Sequence, residues 1–422
     1  MTAVPQAKLP APGPDPVVLD IAVPPHVPPY LVRDLRISLG SIPNELDEPY
    51  AATERLFADD VPPIMYSPFS NAQLGSGAWV LTRYQDIQRV YTDAALFSTD
   101  GVGAFQRMIG ETWPSLPLGV DPPVHGIYRR FLNPWFTPKA VVSMAASIRT
   151  MAVEMIADFQ KACGGDFAWD FGRVFPVRVF FNLMGFPMTM FEQFLEWEYQ
   201  ILHSRDAGKM TEAVGGTIAY LRAFIAEKEA GPDDTLTSNI VHGEIEGRPL
   251  TADERIGIIF FLWLGGLDTV ASTLGQMFRR LAIDHGLQQR LRNDPALIPG
   301  AIEEFLRTQP LVNSIRFLKK DIELHGVQLK AGDQVTCLTS AGNFDPAAFP
   351  SPRSFDPERK ANRHFTLASG PHLCLGAHLA RQELKIALEE WLSRVPMFSI
   401  REGAVREVVP GLLSVRNLPL SW

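Results

Sequence analysis

The chain has 422 residues, 46% hydrophobic and 20% charged, with a formal net charge of −8. That composition is ordinary for a globular protein. The acidic balance argues against a nucleic-acid binder, which shows a strongly basic face, and gives no support to a polybasic membrane contact.

Nine prolines fall in the first thirty residues. Proline removes amide donors and favours extended chain, so residues 1–23 are expected to be a flexible tail and 24–422 one domain. No charged head followed by an apolar stretch marks a signal peptide. The longest apolar run, Ile256–Leu267, is well short of the ~20 residues of a spanning helix. These features predict a cytoplasmic protein.

Ala78–Thr82 has the pattern of a strand and Tyr84–Thr92 that of a helix. Met144–Phe159, Phe180–His203 and Thr217–Ala230 carry helical spacing, while Leu324–Leu329, Gln334–Leu338 and Leu412–Val415 are the better strand candidates. The expected fold is mainly α with small β-sheets, in a single domain.

Thr251-Ala-Asp-Glu254 has the form of a capping box. The helix it opens is apolar on every face, which places it in the middle of a large protein. Gly265 and Gly266 each cost roughly 1 kcal/mol relative to alanine in a helix, and Asp268–Thr269 then follows in the same apolar setting. Two readings stand side by side. Either this is a local kink whose polar atoms bond to nearby carbonyls or water, or it is part of a site.

Three cysteines occur, Cys163, Cys337 and Cys374, none in a C-x-x-C pair. They read as reduced thiols, two of them small core residues. Cys374 differs. It stands in Ala368-Ser-Gly370-Pro-His372-Leu-Cys374-Leu-Gly376, just ahead of an amphipathic helix running to about Ser393. Unpaired amides and the positive end of a helix stabilise a thiolate there. Gly370 and Gly376 would let the backbone turn and approach a cofactor. This arrangement suits a thiolate ligand to iron.

The loop resembles the haem-binding signature of the cytochrome P-450 family, F-x-x-G-x-H/R-x-C-x-G, at Gly370, His372, Cys374 and Gly376. Leu367 stands where the family has phenylalanine, and Ala368 where glycine is common. Glu304-Phe-Leu-Arg307 resembles the family's E-x-x-R pair, and Phe355-Asp-Pro-Glu-Arg359 the segment that closes its network. Gly265-Gly-Leu-Asp268-Thr269 resembles the oxygen-binding groove, and His125-x-x-x-Arg129 a helix contacting a haem propionate. The nearest placement is among bacterial camphor-hydroxylating members.

The resemblance implies a single-domain P-450 fold with haem b between the central helix and the cysteine loop. Cys374 would ligate the iron, and Asp268 and Thr269 would deliver protons to bound oxygen. Arg129, His125, Arg316 and His372 would meet the propionates, with Ser314 replacing an aspartate found near Arg316 in relatives. Gly265, Gly370 and Gly376 would border the haem. Trp113, Phe261, Leu264, Val312, Leu412 and Leu413, with Phe105, would face a small apolar substrate of terpenoid type. Trp113 replaces a tyrosine that holds a ketone in the camphor enzyme. Electrons would come from a separate 2Fe–2S ferredoxin and its reductase, docking near Arg129, Arg130 and Arg381. Two alternatives remain open: a peroxide-driven peroxygenase, and a non-enzymatic haem-thiolate gas sensor or carrier.

Overall fold

The largest sheet has five strands. β1 (Ile64–Asn71) and β2 (Ser76–Leu81) pair antiparallel with Ile64 opposite Leu81, and β2 is buried on both faces, Trp79 and Leu81 on one and Val80 on the other. The structure, a computed structural model, describes residues 22–33, 50–71, 76–161, 164–204, 206–403, 408–409 and 414–422. Most of the expected tail, and the expected residues Cys163, Leu412 and Leu413, lie outside the described residues.

After α1 (Tyr84–Thr92) and β3 (Phe97–Ser98) come α2 (Val124–Leu132) and α3 (Pro138–Lys161). β4 (Gly165–Asp166) and a π turn over Ala168–Gly172 lead into α4 (Val174–Met184). The helical spacing over Phe180–His203 hides a break. Gly185, at φ 78, closes α4 in the left-handed conformation, Pro187 cannot continue it, and α5 (Phe191–His203) starts afresh. α6 (Ala207–Ala230) is capped by Asp206, whose carboxylate accepts from the Gly208 and Lys209 amides. α7 (Leu236–His242) and the β5–β6 hairpin (Glu244–Ile245, Arg248–Pro249) follow.

The predicted capping box is present. Thr251 Oγ1 accepts from the Glu254 amide at 3.2 Å, and Glu254 accepts from the Thr251 amide at 2.7 Å. It opens α8 (Ala252–Leu267), which breaks at Asp268 and resumes as α9 (Thr269–Ile283). By length and composition alone, this helix pair and α3 could each cross a membrane. The pair is mostly core, however, and α3 packs along the last helix.

α10 (His285–Asn293) and α11 (Ile298–Thr308) precede β7 (Ser314–Leu318), β8 (Ile322–Leu324), β9 (Val327–Leu329) and β10 (Gln334–Cys337). Leu324–Leu329, expected as one strand, is a hairpin. His325 and Gly326, at φ 52 and 74, form its two-residue turn. β10 lies between β2 and β7, completing the order β1-β2-β10-β7-β3. α12 (Thr339–Phe344) and α13 (Ala377–Arg394) are followed by β11 (Ser399–Ile400), β12 (Val408–Val409), β13 (Ser414–Val415) and β14 (Pro419–Ser421). Trp391 of α13 sits at the centre of the core, edge-on to Phe159, Phe167, Phe171 and Phe278. That packing fixes α13, and with it the cysteine loop, against α3 and α9.

Candidate active site

The site begins with how the chain presents Cys374. Its amide donates to the Leu367 carbonyl at 2.8 Å, and its own carbonyl accepts from Ala377 at the start of α13. Residues 367–374 therefore close into a loop just ahead of α13. Cys374 is exposed, whereas Cys337 on β10 is fully buried. Burial pushes the Cys337 thiol up to about 12, as befits an inert core residue. Surrounding protein also raises the Cys374 thiol, against which the Gly376 amide, Arg129 and Arg381 favour the anion. A cation bound to the sulfur would remove the proton outright.

The two loop glycines differ. Gly370 has φ 67, and a Cβ there would stand 2.3 Å from the Tyr91 carbonyl at the end of α1. The turn and the docking onto α1 each exclude a side chain there. At Gly376 an added Cβ would meet nothing within 4 Å. Ala368, where the family favours glycine, is itself left-handed at φ 59.

Facing groups come from α8 and α9. Gly266 is filled by Phe180, 2.4 Å from where a Cβ would stand, while a Cβ on Gly265 would meet nothing. Gly265 is exposed although Trp263, Leu264 and Leu267 around it are buried. The helix thus opens a bare patch of backbone one turn before Thr269. At the break Asp268 has φ −98 and ψ −34. Thr269 Oγ1 donates to the Gly265 carbonyl at 3.0 Å, and Ser272 Oγ donates to Asp268 Oδ1 at 3.0 Å. Local bonds of the kink reading are therefore present, and they border open space.

A second cluster has an excess of positive charge. The His125 and His372 rings lie 4.0 Å apart. Burial, together with Arg129, pushes His125 down to about 4; burial, His125 and Arg316 push His372 down to about 3. Arg129 donates to the Leu373 carbonyl at 2.7 Å, and Arg316 to the Ile315 carbonyl at 2.7 Å while lying over the Tyr91 ring. Among the described residues neither guanidinium pairs with a carboxylate. The nearby acid, Asp121, is taken by Lys319, Ser98 and Thr99. Two unmatched guanidiniums and two neutral imidazoles fit an anionic group, as the propionates of haem require.

The substrate-facing expectations divide. Phe261 is half-buried, Leu264 is 8% exposed and Val312 is exposed. Phe105 lies half-buried against Phe260. Trp113 is 2% exposed and edge-on to Phe260, and its indole N–H donates to Glu111 at 2.6 Å.

Glu304 and Arg307 of α11 are both wholly buried. Arg359 donates to Glu304 at 3.0 Å, as expected of the third member. Sequence reasoning missed Asn362, which donates to Glu304 at 2.9 Å, and Gly300, where a Cβ would collide with the Pro357 carbonyl. No local pattern marks either. Also missed were Glu198 and His203 of α5, which the fold brings to Asp268.

The sequence model of the family described as Cytochrome P-450 matches residues 177–416. "Probable cytochrome P-450 127A1" of Sinorhizobium fredii is 38% identical over 406 residues, covering 95% of this chain and 97% of that protein. The chain belongs to the cytochrome P-450 family. "Steroid C26-monooxygenase" of Mycobacterium tuberculosis is 32% identical over 331 residues, 76% of this chain and 87% of that protein. Among solved structures, CYP101J2 superposes with a TM-score of 0.82 at 32% identity, covering 95% of this chain and 99% of that one.

As a cytochrome P-450 the protein is a haem-b-dependent monooxygenase, which uses oxygen, an electron donor and an organic substrate. Arg381, expected near the donor's docking surface, is paired with Glu303 through two bonds of 2.6 and 2.9 Å. Arg130 on α2 remains exposed.

Proposed function

We propose that Cys374 ligates the haem iron and that the protein hydroxylates a small apolar molecule of terpenoid type, with electrons from a 2Fe–2S ferredoxin in the cytoplasm. One observation carries this reading: Cys374 is an exposed cysteine just ahead of α13, with the bare backbone at Gly376 beside it. Arg129, Arg316, His125 and His372 would hold the propionates by charge and hydrogen bonds. The bound haem supplies oxygen activation, with the thiolate donating electron density to the iron.

The protein's own part is to position and to deliver protons. Thr269 can release the Gly265 carbonyl and turn its hydroxyl toward a ligand above Gly265. Asp268, at the break, can exchange partners without disturbing either helix. Phe261 and Leu264 would give the substrate an apolar wall. Arg130 would contribute to encounter with an acidic ferredoxin.

The test is the carbon monoxide spectrum of the reduced protein. The red-shifted Soret band of thiolate ligation is expected in the wild type and must vanish in Cys374→Ala. A Cys374→Ala protein that keeps it overturns the ligand assignment. Product formed from reduced nicotinamide with a surrogate ferredoxin system supports the monooxygenase route; product formed strictly on added peroxide points to the peroxygenase reading. A screen of small terpenes for the low-to-high-spin change identifies the substrate class.

A further inference from the structure

At the Asp268 break lies a buried cluster of ionisable groups, two of which, Glu198 and His203, the proposed reaction leaves unassigned. One carboxylate oxygen each from Glu198 and Asp268 and one ring nitrogen of His203 all lie within 4.8 Å of one another. His203 Nε2 is 3.6 Å from Asp268 Oδ2, and the two side chains are 3% and 13% exposed. Glu198 is 3% exposed, and neither its Oε1 nor Asp268 Oδ2 has a hydrogen-bond partner among the described residues. An ionised carboxylate in such a place is costly unless it is paired, and two of them this close oppose each other.

We propose that Glu198 is a positioning residue that holds a proton in this cluster, and that in its neutral form it lets His203 anchor Asp268 to α5. The inference rests on the proton-delivery role given to Asp268 above. Charge accounting supports it. The groups facing Glu198 are Asp268 from the α8–α9 break, His203 from its own helix, and Arg173 from the turn before α4. Tyr199 stacks on His203 and accepts a hydrogen bond from Arg416 of the C-terminal segment, and Tyr220 of α6 packs on Phe194 of α5. Arg173 is also drawn on by Glu192 and Glu196, and Glu198, the more deeply buried of the two carboxylates, is the cheaper one to keep as a neutral acid. The same guanidinium makes a bound cation unfavourable there.

Burial, and then the Asp268 charge, pushes Glu198 up to about 8, while His203 and Arg173 pull the other way. Below that pH the acid is neutral, and Asp268 alone draws on His203 and Arg173. Above it Glu198 gives up its proton to solvent, competes for the same two partners and repels Asp268. Asp268 then loses its anchor. No chemical step other than this ionisation is required.

The test compares the wild-type holoprotein with Glu198→Gln, which keeps the shape of the neutral acid. In difference infrared spectra a carboxylic-acid carbonyl band should titrate away with a midpoint near 8 in the wild type and be missing from Glu198→Gln. With a surrogate ferredoxin system and no substrate, peroxide released per reduced nicotinamide should rise severalfold between pH 7 and 9 in the wild type and stay flat in Glu198→Gln. Absence of the band at pH 6, or identical pH profiles of peroxide yield, overturns the proposal. Should Glu198→Gln not fold, the wild-type infrared titration still decides. Failure of the underlying haem-thiolate reading would show separately, as loss of the thiolate Soret band in the wild type.

Discussion

Arg307 donates to both carboxylate oxygens of Glu304, at 2.7 and 2.8 Å, with neither side chain exposed to solvent. The pair does not stand alone. Glu304 also accepts from Arg359, Asn362 and the Asp356 amide, and Arg307 donates to the carbonyls of Asn343, Pro352 and Ser354. Every lone pair and proton has a use, so the pair ties α11 to the chain ahead of the cysteine loop. Removing one partner leaves an unmatched buried charge, which costs about 3–5 kcal/mol. Glu304→Ala should therefore lower the denaturation midpoint sharply and yield protein with little haem, as measured by urea unfolding and by the ratio of Soret to protein absorbance. Near-normal stability in that variant would show the network to be dispensable.

Ala368 offers the opposite test. A left-handed alanine costs about 1–2 kcal/mol, and Ala368 adopts that conformation at φ 59. Ala368→Gly removes the strain but frees the unfolded chain, which returns part of the gain. The net expectation is a stabilisation of about 0.5–1 kcal/mol in chemical denaturation, with the thiolate Soret band unmoved. Destabilisation by the glycine would mean that the Ala368 methyl contributes packing worth more than the strain.

Much of this was legible in the sequence because it depends on neighbours in the chain. The capping box at Thr251 and Glu254, the glycine-bracketed cysteine ahead of a helix, and the i, i+3 pair Glu304–Arg307 each declare themselves within a few residues. What escaped depends on distant contacts. The edge-on packing of Trp113 against Phe260 of α8 joins residues far apart in the chain. The Tyr91 carbonyl that closes on Gly370 comes from α1, far away in the chain. Glu198 and His203 look like unremarkable positions on a helix. Only the packing of α5 on α8 brings them to Asp268.

The His125 environment gives a pH dependence of defined sign. Its folded-state value, about 4, lies below the ordinary histidine value. The unfolded chain therefore binds more protons between the two, and stability falls as pH drops from about 6.5 toward 4. Haem-free protein should show this loss in denaturant titrations, and His125→Gln should make it shallower. Haem should also blunt it, because a propionate beside His125 favours the charged ring. If His125→Gln leaves the acid slope of the haem-free protein unchanged, His125 is not the group that carries it.

Thr269 provides the closest test of the chemistry. Its hydroxyl makes one described bond, to the Gly265 carbonyl, and removing an ordinary hydrogen bond costs only about 0.5–1.5 kcal/mol. Thr269→Ala should consequently fold, bind haem and keep the thiolate Soret band. The change should appear in the fate of electrons. Without the hydroxyl, proton delivery loses its last oriented donor, and reducing equivalents leave as peroxide instead of product. A positioned proton donor contributes roughly 10²–10⁴-fold to its step, but water can partly substitute, so the measured drop in product per reduced nicotinamide is expected to be severalfold to about tenfold. Thr269→Ser keeps the hydroxyl and should recover most of the coupling. If alanine and serine couple equally well, the hydroxyl is not the donor, and Thr269 matters only for the shape of the break after Leu267.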